Sequence, residues 1–160
     1  MDLGDGRILF TGGYGAGALI GRVEKTGPAY GLKVEQRMVP GQMGSEQQTP
    51  VVLADGSGVL AVIPSGEMVC MGLDGGLKWR SGGANRYGSG AYLVADGAVY
   101  VINDTGTLSA LAAESGRFQL LGSGRVLPEG RECCGPLALA DERLYVRDLT
   151  RLVCLDLHGK

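Results

Sequence analysis

Histidine is almost absent: His158 stands alone, near the end of the chain. Ser-His and Cys-His nucleophile pairs and His-based metal sites all need an imidazole with partners around it, so ordinary hydrolase and zinc chemistry are set aside. Long apolar runs are also lacking, and none approaches the ~20 residues that span a bilayer. There is no surplus of one charge. Fifteen Lys and Arg against 17 Asp and Glu leave a formal net charge of -2, which gives no basic footprint for nucleic acid or anionic lipid. The opening residues, Met1-Asp2-Leu3-Gly4-Asp5, have neither the basic nor the apolar region of a signal peptide. As given, the chain is expected to be made in the cytoplasm. Cys70, Cys133, Cys134 and Cys154 are too few and too irregularly spaced for a disulfide framework or a zinc set. They leave the redox compartment open. Helical room is short as well. Residues 18–31 hold Gly21, Gly27, Pro28 and Gly31, so Gly13-Tyr-Gly15-Ala-Gly17 lacks the helix that a phosphate-cradling loop must open, and it reads as a hairpin tip.

What the chain has in abundance is glycine, 29 residues spread evenly among 44% apolar and 20% charged residues. Many turns in a folded, soluble chain favour an all-β class. The turns recur in four copies of one pattern: an Asp-led turn, an apolar run, a tight hairpin, a second apolar run and a glycine turn. The copies start at Asp5, Asp55, Asp96 and Asp141, spaced 50, 41 and 45 residues apart. Periods of that length with several short strands per unit mark propeller blades, each of which buries its faces only by stacking on its neighbours.

Each blade is assigned four strands, A to D. Thr49-Pro-Val-Val-Leu-Ala, Gly90-Ala-Tyr-Leu-Val-Ala and Gly135-Pro-Leu-Ala-Leu-Ala are the innermost strands of the later blades, and Leu77–Arg80 and Arg117–Leu121 are outer strands. The fold class is therefore expected to be all-β: a β-propeller segment of about four antiparallel blades, sized to be half of a seven- or eight-bladed ring. It forms a single domain over 1–160 with blades near 1–42, 43–82, 83–128 and 129–160. By this count the first blade lacks strand A and the last lacks strand D. An arc with open ends exposes apolar sheet faces and strand edges, so a protein partner or a second copy is expected to complete the ring.

The stretches Ala95-Asp-Gly-Ala-Val-Tyr-Val-Ile-Asn-Asp-Thr-Gly-Thr-Leu-Ser-Ala-Leu-Ala-Ala-Glu-Ser-Gly and Ala140-Asp-Glu-Arg-Leu-Tyr-Val-Arg-Asp-Leu-Thr-Arg-Leu-Val-Cys-Leu-Asp-Leu resemble PQQ-like β-propeller repeats. Such repeats occur in quinoprotein alcohol dehydrogenases and in the outer-membrane assembly lipoprotein of the BAM complex. The resemblance covers nearly the whole chain, is weakest over 1–48, and is to the C-terminal part of such a protein. It implies a docking tryptophan after the glycine turn. Trp79 after Gly76 fits, Phe118 after Gly116 substitutes, and the first blade has no counterpart. It also implies a periplasmic or cell-envelope setting. In the dehydrogenases an adjacent-cysteine disulfide packs on the quinone, which makes Cys133 and Cys134 possible cofactor contacts. The alternative is that they are small residues buried near a blade junction. Cys70 and Cys154 occupy equivalent strand C positions and are assigned to core packing.

Two functions follow. The first is a non-catalytic scaffold, without cofactor, that binds protein or ligand through its loop rim. The alternative is a fragment of a PQQ-dependent alcohol dehydrogenase-like enzyme using PQQ with calcium. In up-and-down blades the B–C and D–A connections emerge on one side, which gathers Tyr14, Glu46, Gln47, Arg86, Tyr87, Asn103, Asp104, Arg131, Glu132 and Asp148 on one rim. Arg and Tyr combine contact area with polar recognition and are favoured at binding hot spots.

Overall fold

The computed structural model describes residues 1–158, which form four antiparallel sheets in chain order. Sheet I holds β1 (Asp2–Gly4), β2 (Arg7–Gly12), β3 (Gly17–Thr26) and β4 (Ala29–Met38). Sheet II holds β5 (Val51–Val52), β6 (Val59–Val62), β7 (Met68–Met71) and β8 (Leu77–Arg80). Sheet III holds β9 (Tyr92–Ala95), β10 (Ala98–Ile102), β11 (Thr107–Ala112) and β12 (Leu120–Arg125). Sheet IV holds β13 (Ala138–Ala140), β14 (Arg143–Arg147) and β15 (Leu152–Asp156). Within each sheet every strand pairs with the next one in sequence.

The Asp-led turns join A strands to B strands. Asp5-Gly6 and Asp96-Gly97 take positive φ at both residues, as does Asp141-Glu142. This is the primed turn whose twist matches a hairpin. Glycine adopts it without strain, while Glu142 does so in a region that side chains disfavour.

Three core clusters fill the spaces between consecutive sheets. Val59, Ala61, Val69 and Met71 meet Leu9 and Ile20 of sheet I. Leu60, Val62, Met68 and Cys70 meet Val99, Val101 and Leu111 of sheet III. Ile102 and Ala91 then meet Leu144 and Val146 of sheet IV. Sheet II is thus apolar on both faces, which is why β6 and β7 read as continuous apolar runs instead of alternating ones. Each fully buried Leu or Met there contributes about 1.5–3 kcal/mol.

Two strand assignments and one burial assignment differ from the sequence reading. Sheet I has an innermost strand: the Met1 amine donates to the Leu9 carbonyl and the Leu9 amide returns the bond, both at 2.8 Å, which holds β1 in place. Three residues with a register shift at Gly4 are too short to show a period. The outer strand of sheet III starts at Leu120, three residues later than read, because the ladder bulges between Ala110 and Leu111. Cys154 is exposed where Cys70 is buried, because sheet II is covered by sheet III, while among the described residues no sheet packs on the face of sheet IV that carries Cys154. The expected reactivity follows from this. At pH 8 a disulfide-exchange reagent should label Cys134 and Cys154 quickly. Cys70, whose thiol burial pushes up to about 11, and Cys133 should react only on unfolding. Four thiols reacting at one rate in the folded chain would contradict these placements.

Candidate functional site

The rim is built by clasps that repeat from blade to blade. In sheets II and III the glycine of the B–C hairpin offers its carbonyl to the linker that leaves the same sheet. The Tyr87 amide donates to Gly66 at 2.6 Å, and the Val126 and Leu127 amides donate to Gly106 at 3.0 and 3.1 Å. Each linker also meets the hairpin of the next sheet. The Ser89 amide donates to the Asp104 carboxylate at 3.0 Å, and the Leu149 amide to the Arg131 carbonyl at 2.9 Å. One bond spans further: Gln48 Nε2 donates to the Cys134 carbonyl at 3.0 Å, which joins the first linker to the third.

Within this frame lies a cleft of about 240 Å³. Glu46, Gln47 and Gln48 of the first linker form one wall, and Arg86 and Ser89 of the second form another. Asp104 closes the end, and the Val62–Gly66 hairpin makes the floor. Tyr14 joins the first wall through its hydroxyl, which accepts from Gln47 Nε2 at 3.3 Å. Arg86 is exposed, and its guanidinium has no hydrogen-bond or ion-pair partner among the described residues. The nearby Arg80 is engaged with Glu67 at 3.7 Å.

Of the ten rim residues read from sequence, Glu46, Gln47, Arg86 and Asp104 converge on this cleft, with Tyr14 beside it. Tyr87 does not face the ligand side: it is buried in the core between sheets II and III, and burial pushes its hydroxyl up to about 12. Asn103 and Asp148 hold turns. Asn103 Oδ1 accepts from the Thr105 and Thr107 amides at 3.0 and 2.9 Å, and Asp148 Oδ1 from the Thr150 and Arg151 amides at 2.8 and 2.7 Å. The Thr150 amide bond is the leading cause that lowers the Asp148 carboxyl. The β14–β15 hairpin therefore needs no glycine, since a buried carboxylate closes it. The signal was present in Asn103-Asp-Thr and Asp148-Leu-Thr, an acceptor two residues before a threonine. Arg131 and Glu132 are exposed in the third linker, away from the cleft. Gln48, Ser65 and Ser89, which sequence reasoning missed, reach the cleft because hairpins and linkers bring them there.

Cys133 and Cys134 are both free thiols and diverge. Cys133 packs in the core between sheets III and IV, where burial raises its pKa, and Cys134 is exposed. Among the described residues no three His, Cys, Asp or Glu side chains are grouped to hold a metal ion.

No family model matches the chain, and no curated protein does. Two solved structures of AztD from Citrobacter koseri, one of them the apo form, are similar to it at 14% identity each. Their TM-scores are 0.56 and 0.53, over 95% and 92% of this chain. The chain is a β-propeller arc. It spans less than half the length of those structures, 44% and 43% of them. In the arc, the B–C and D–A connections share one side, and the cleft opens on that side where blades II and III meet, with Tyr14 of blade I beside it. No helix among the described residues is long and apolar enough to cross a membrane.

Proposed function

We propose that the arc is a non-catalytic scaffold of the PQQ-like repeat type that binds a segment of a partner protein in the rim cleft, with Arg86 as its anchor. The observation that carries this reading is the convergence of Glu46, Gln47, Arg86 and Asp104 on one cleft around an unpaired guanidinium. At about 240 Å³ the cleft is smaller than the ~300–1,000 Å³ of small-molecule sites. It suits a side chain or a short stretch of peptide. The guanidinium takes a carboxylate in two parallel bonds, while the flanking Glu46 and Asp104 select a cationic or amide neighbour. By resemblance, the setting is the periplasm or cell envelope.

The test pans a display library of short random peptides on the chain. Peptides carrying an acidic residue should be enriched and should lose about tenfold in affinity, roughly 1.4 kcal/mol, on Arg86→Ala. Lys78→Ala on the outer strand β8 should leave binding unchanged. Enrichment that ignores both Arg86→Ala and Gln47→Ala would sink the assignment. The alternative, PQQ with calcium at Cys133–Cys134, needs free carboxylates beside those residues. Asp104 and Asp148 are the acidic groups whose charge reaches Cys133, and each already accepts backbone amides. Equilibrium dialysis against PQQ and calcium tests it, with loss of both on Cys133→Ser as the result it requires.

A further inference from the structure

One irregularity repeats in the outer ladders. Sheets I, II and III each shift register between their third and fourth strands, at Ile20/Gly21, Cys70/Met71 and Ala110/Leu111. On the outer strand, the residue paired just before each shift is Gln36 in blade I, Trp79 in blade II and Gly122 in blade III. Two of these side chains reach the C–D turn of the following blade. Trp79 Nε1 donates to the Glu114 carbonyl at 3.0 Å, and Gln36 Nε2 donates to the Gly75 carbonyl at 3.5 Å. Gln36 thus keeps the donor of the indole without its rings. Gly75 makes room for it, since a Cβ there would collide with the Gln36 amide. Beside this contact, between blades I and II, lies a crevice of about 170 Å³ lined by Met38, Gln42, Met71, Gly75, Leu77 and Arg80. Its wall matches the surroundings of Trp79. Met71 and Leu77 form the pair that follows the shift in sheet II, as Leu111 and Leu120 do in sheet III, and Leu111 packs in one core cluster with Trp79.

We propose that this crevice is a second binding site, separate from the rim cleft, and that it takes one aromatic ring of the indole or phenyl class. The ring stands where Trp79 places its own at the next junction. An apolar cavity of about 150 Å³ holds one benzene-sized ring, so the space is of the right size. The lining selects a ring over a saturated group of equal bulk. Met38 and Met71 offer thioether sulfurs, which make favourable contacts with aromatic rings. The Arg80 guanidinium, held by the Gly41 carbonyl and by Glu67 at 3.7 Å, brings a fixed cation to the electron-rich face of a ring. The Gly75 carbonyl accepts only the long bond from Gln36, which leaves a lone pair for an indole N–H. Leu77 is 54% exposed at the same wall, so the crevice opens to solvent and a ring enters without displacing core residues.

Methyl NMR of the chain labelled at its five methionines is the test. Titrated indole should move the Met38 and Met71 signals by ring current, with dissociation in the millimolar range that a single ring supports. Met68, which packs toward sheet III, should stay in place. Phenol should bind at least about threefold more tightly than cyclohexanol, its saturated counterpart. Gln36→Trp supplies the missing rings from within the chain and should abolish the shifts. Leu77→Glu, at an exposed site, should weaken binding about tenfold while the far-UV spectrum stays that of the parent. N-acetyl-tryptophanamide separates the sources of the ring. Shifts equal to those of indole assign the site to a partner's side chain, and shifts with indole alone assign it to a free aromatic compound. Met38 and Met71 signals that no ring moves overturn the proposal, as do shifts that persist in both variants or a cyclohexanol that matches phenol.

Discussion

Replacing Trp79 by alanine should cost the fold about 3–5 kcal/mol, the range for truncating a buried aromatic. Trp79 is 8% exposed on the outer strand of blade II and joins two blades. Its Nε1 donates to the Glu114 carbonyl of blade III at 3.0 Å, and its ring lies 5.8 Å from that of Phe118, tilted by 58°. Alanine would open a cavity in the core shared by blades II and III and leave the Glu114 carbonyl without that donor. Small domains have only about 5–15 kcal/mol in total, so this one side chain would carry a large share of the stability. Urea denaturation followed by far-UV circular dichroism measures this, since the variant has no tryptophan to report. Trp79→Phe should keep most of the packing and lose the hydrogen bond, roughly 1–2 kcal/mol. A midpoint shift for Trp79→Ala worth less than 1 kcal/mol would mean that the blades do not depend on this contact. The two aromatics that follow successive glycine turns touch each other, so the docking residue of one blade rests on that of the next.

The second large effect is expected at Gly106, where two penalties add. Its φ of +83° is unfavourable for any side chain, about 1–2 kcal/mol. A Cβ there would also meet the backbone of Leu127, the linker residue whose amide binds the Gly106 carbonyl. Gly106→Ala should therefore destabilise by about 3 kcal/mol and loosen the rim on the blade III side. Two other glycines separate the terms. Gly97, with φ of +76° and open space around it, should lose only the conformational part on Gly97→Ala, about 1 kcal/mol. Gly122 has open space and a φ outside that region, so Gly122→Ala should be neutral or slightly stabilising. Thermal or urea unfolding of the three variants checks the ordering. Equal effects at Gly97 and Gly106 would show that the linker gives way freely.

The cleft itself was partly legible. The up-and-down order of strands is enough to say that Glu46, Gln47, Arg86 and Asp104 share a side, because the side on which a connection emerges follows from counting strands. Which of those side chains remain free for a partner depends on hydrogen bonds that span loops. Asn103 and Asp148 have the same polarity as Asp104, yet their oxygens close the hairpins they begin. Tyr87 sits next to Arg86 in sequence, yet the Gly66 clasp turns it into the core.

From the sequence alone came the class, the four-fold repeat, the turns and most strands, since alternation and Asp-Gly turn chemistry are local and act within a few residues. Tertiary structure alone decided which faces are covered. Cys70 and Cys154 occupy equivalent strand positions, and only the presence of a following sheet buries one and exposes the other. Burial belongs to the neighbour that a strand meets, and which neighbour it meets is settled by the stacking of whole blades.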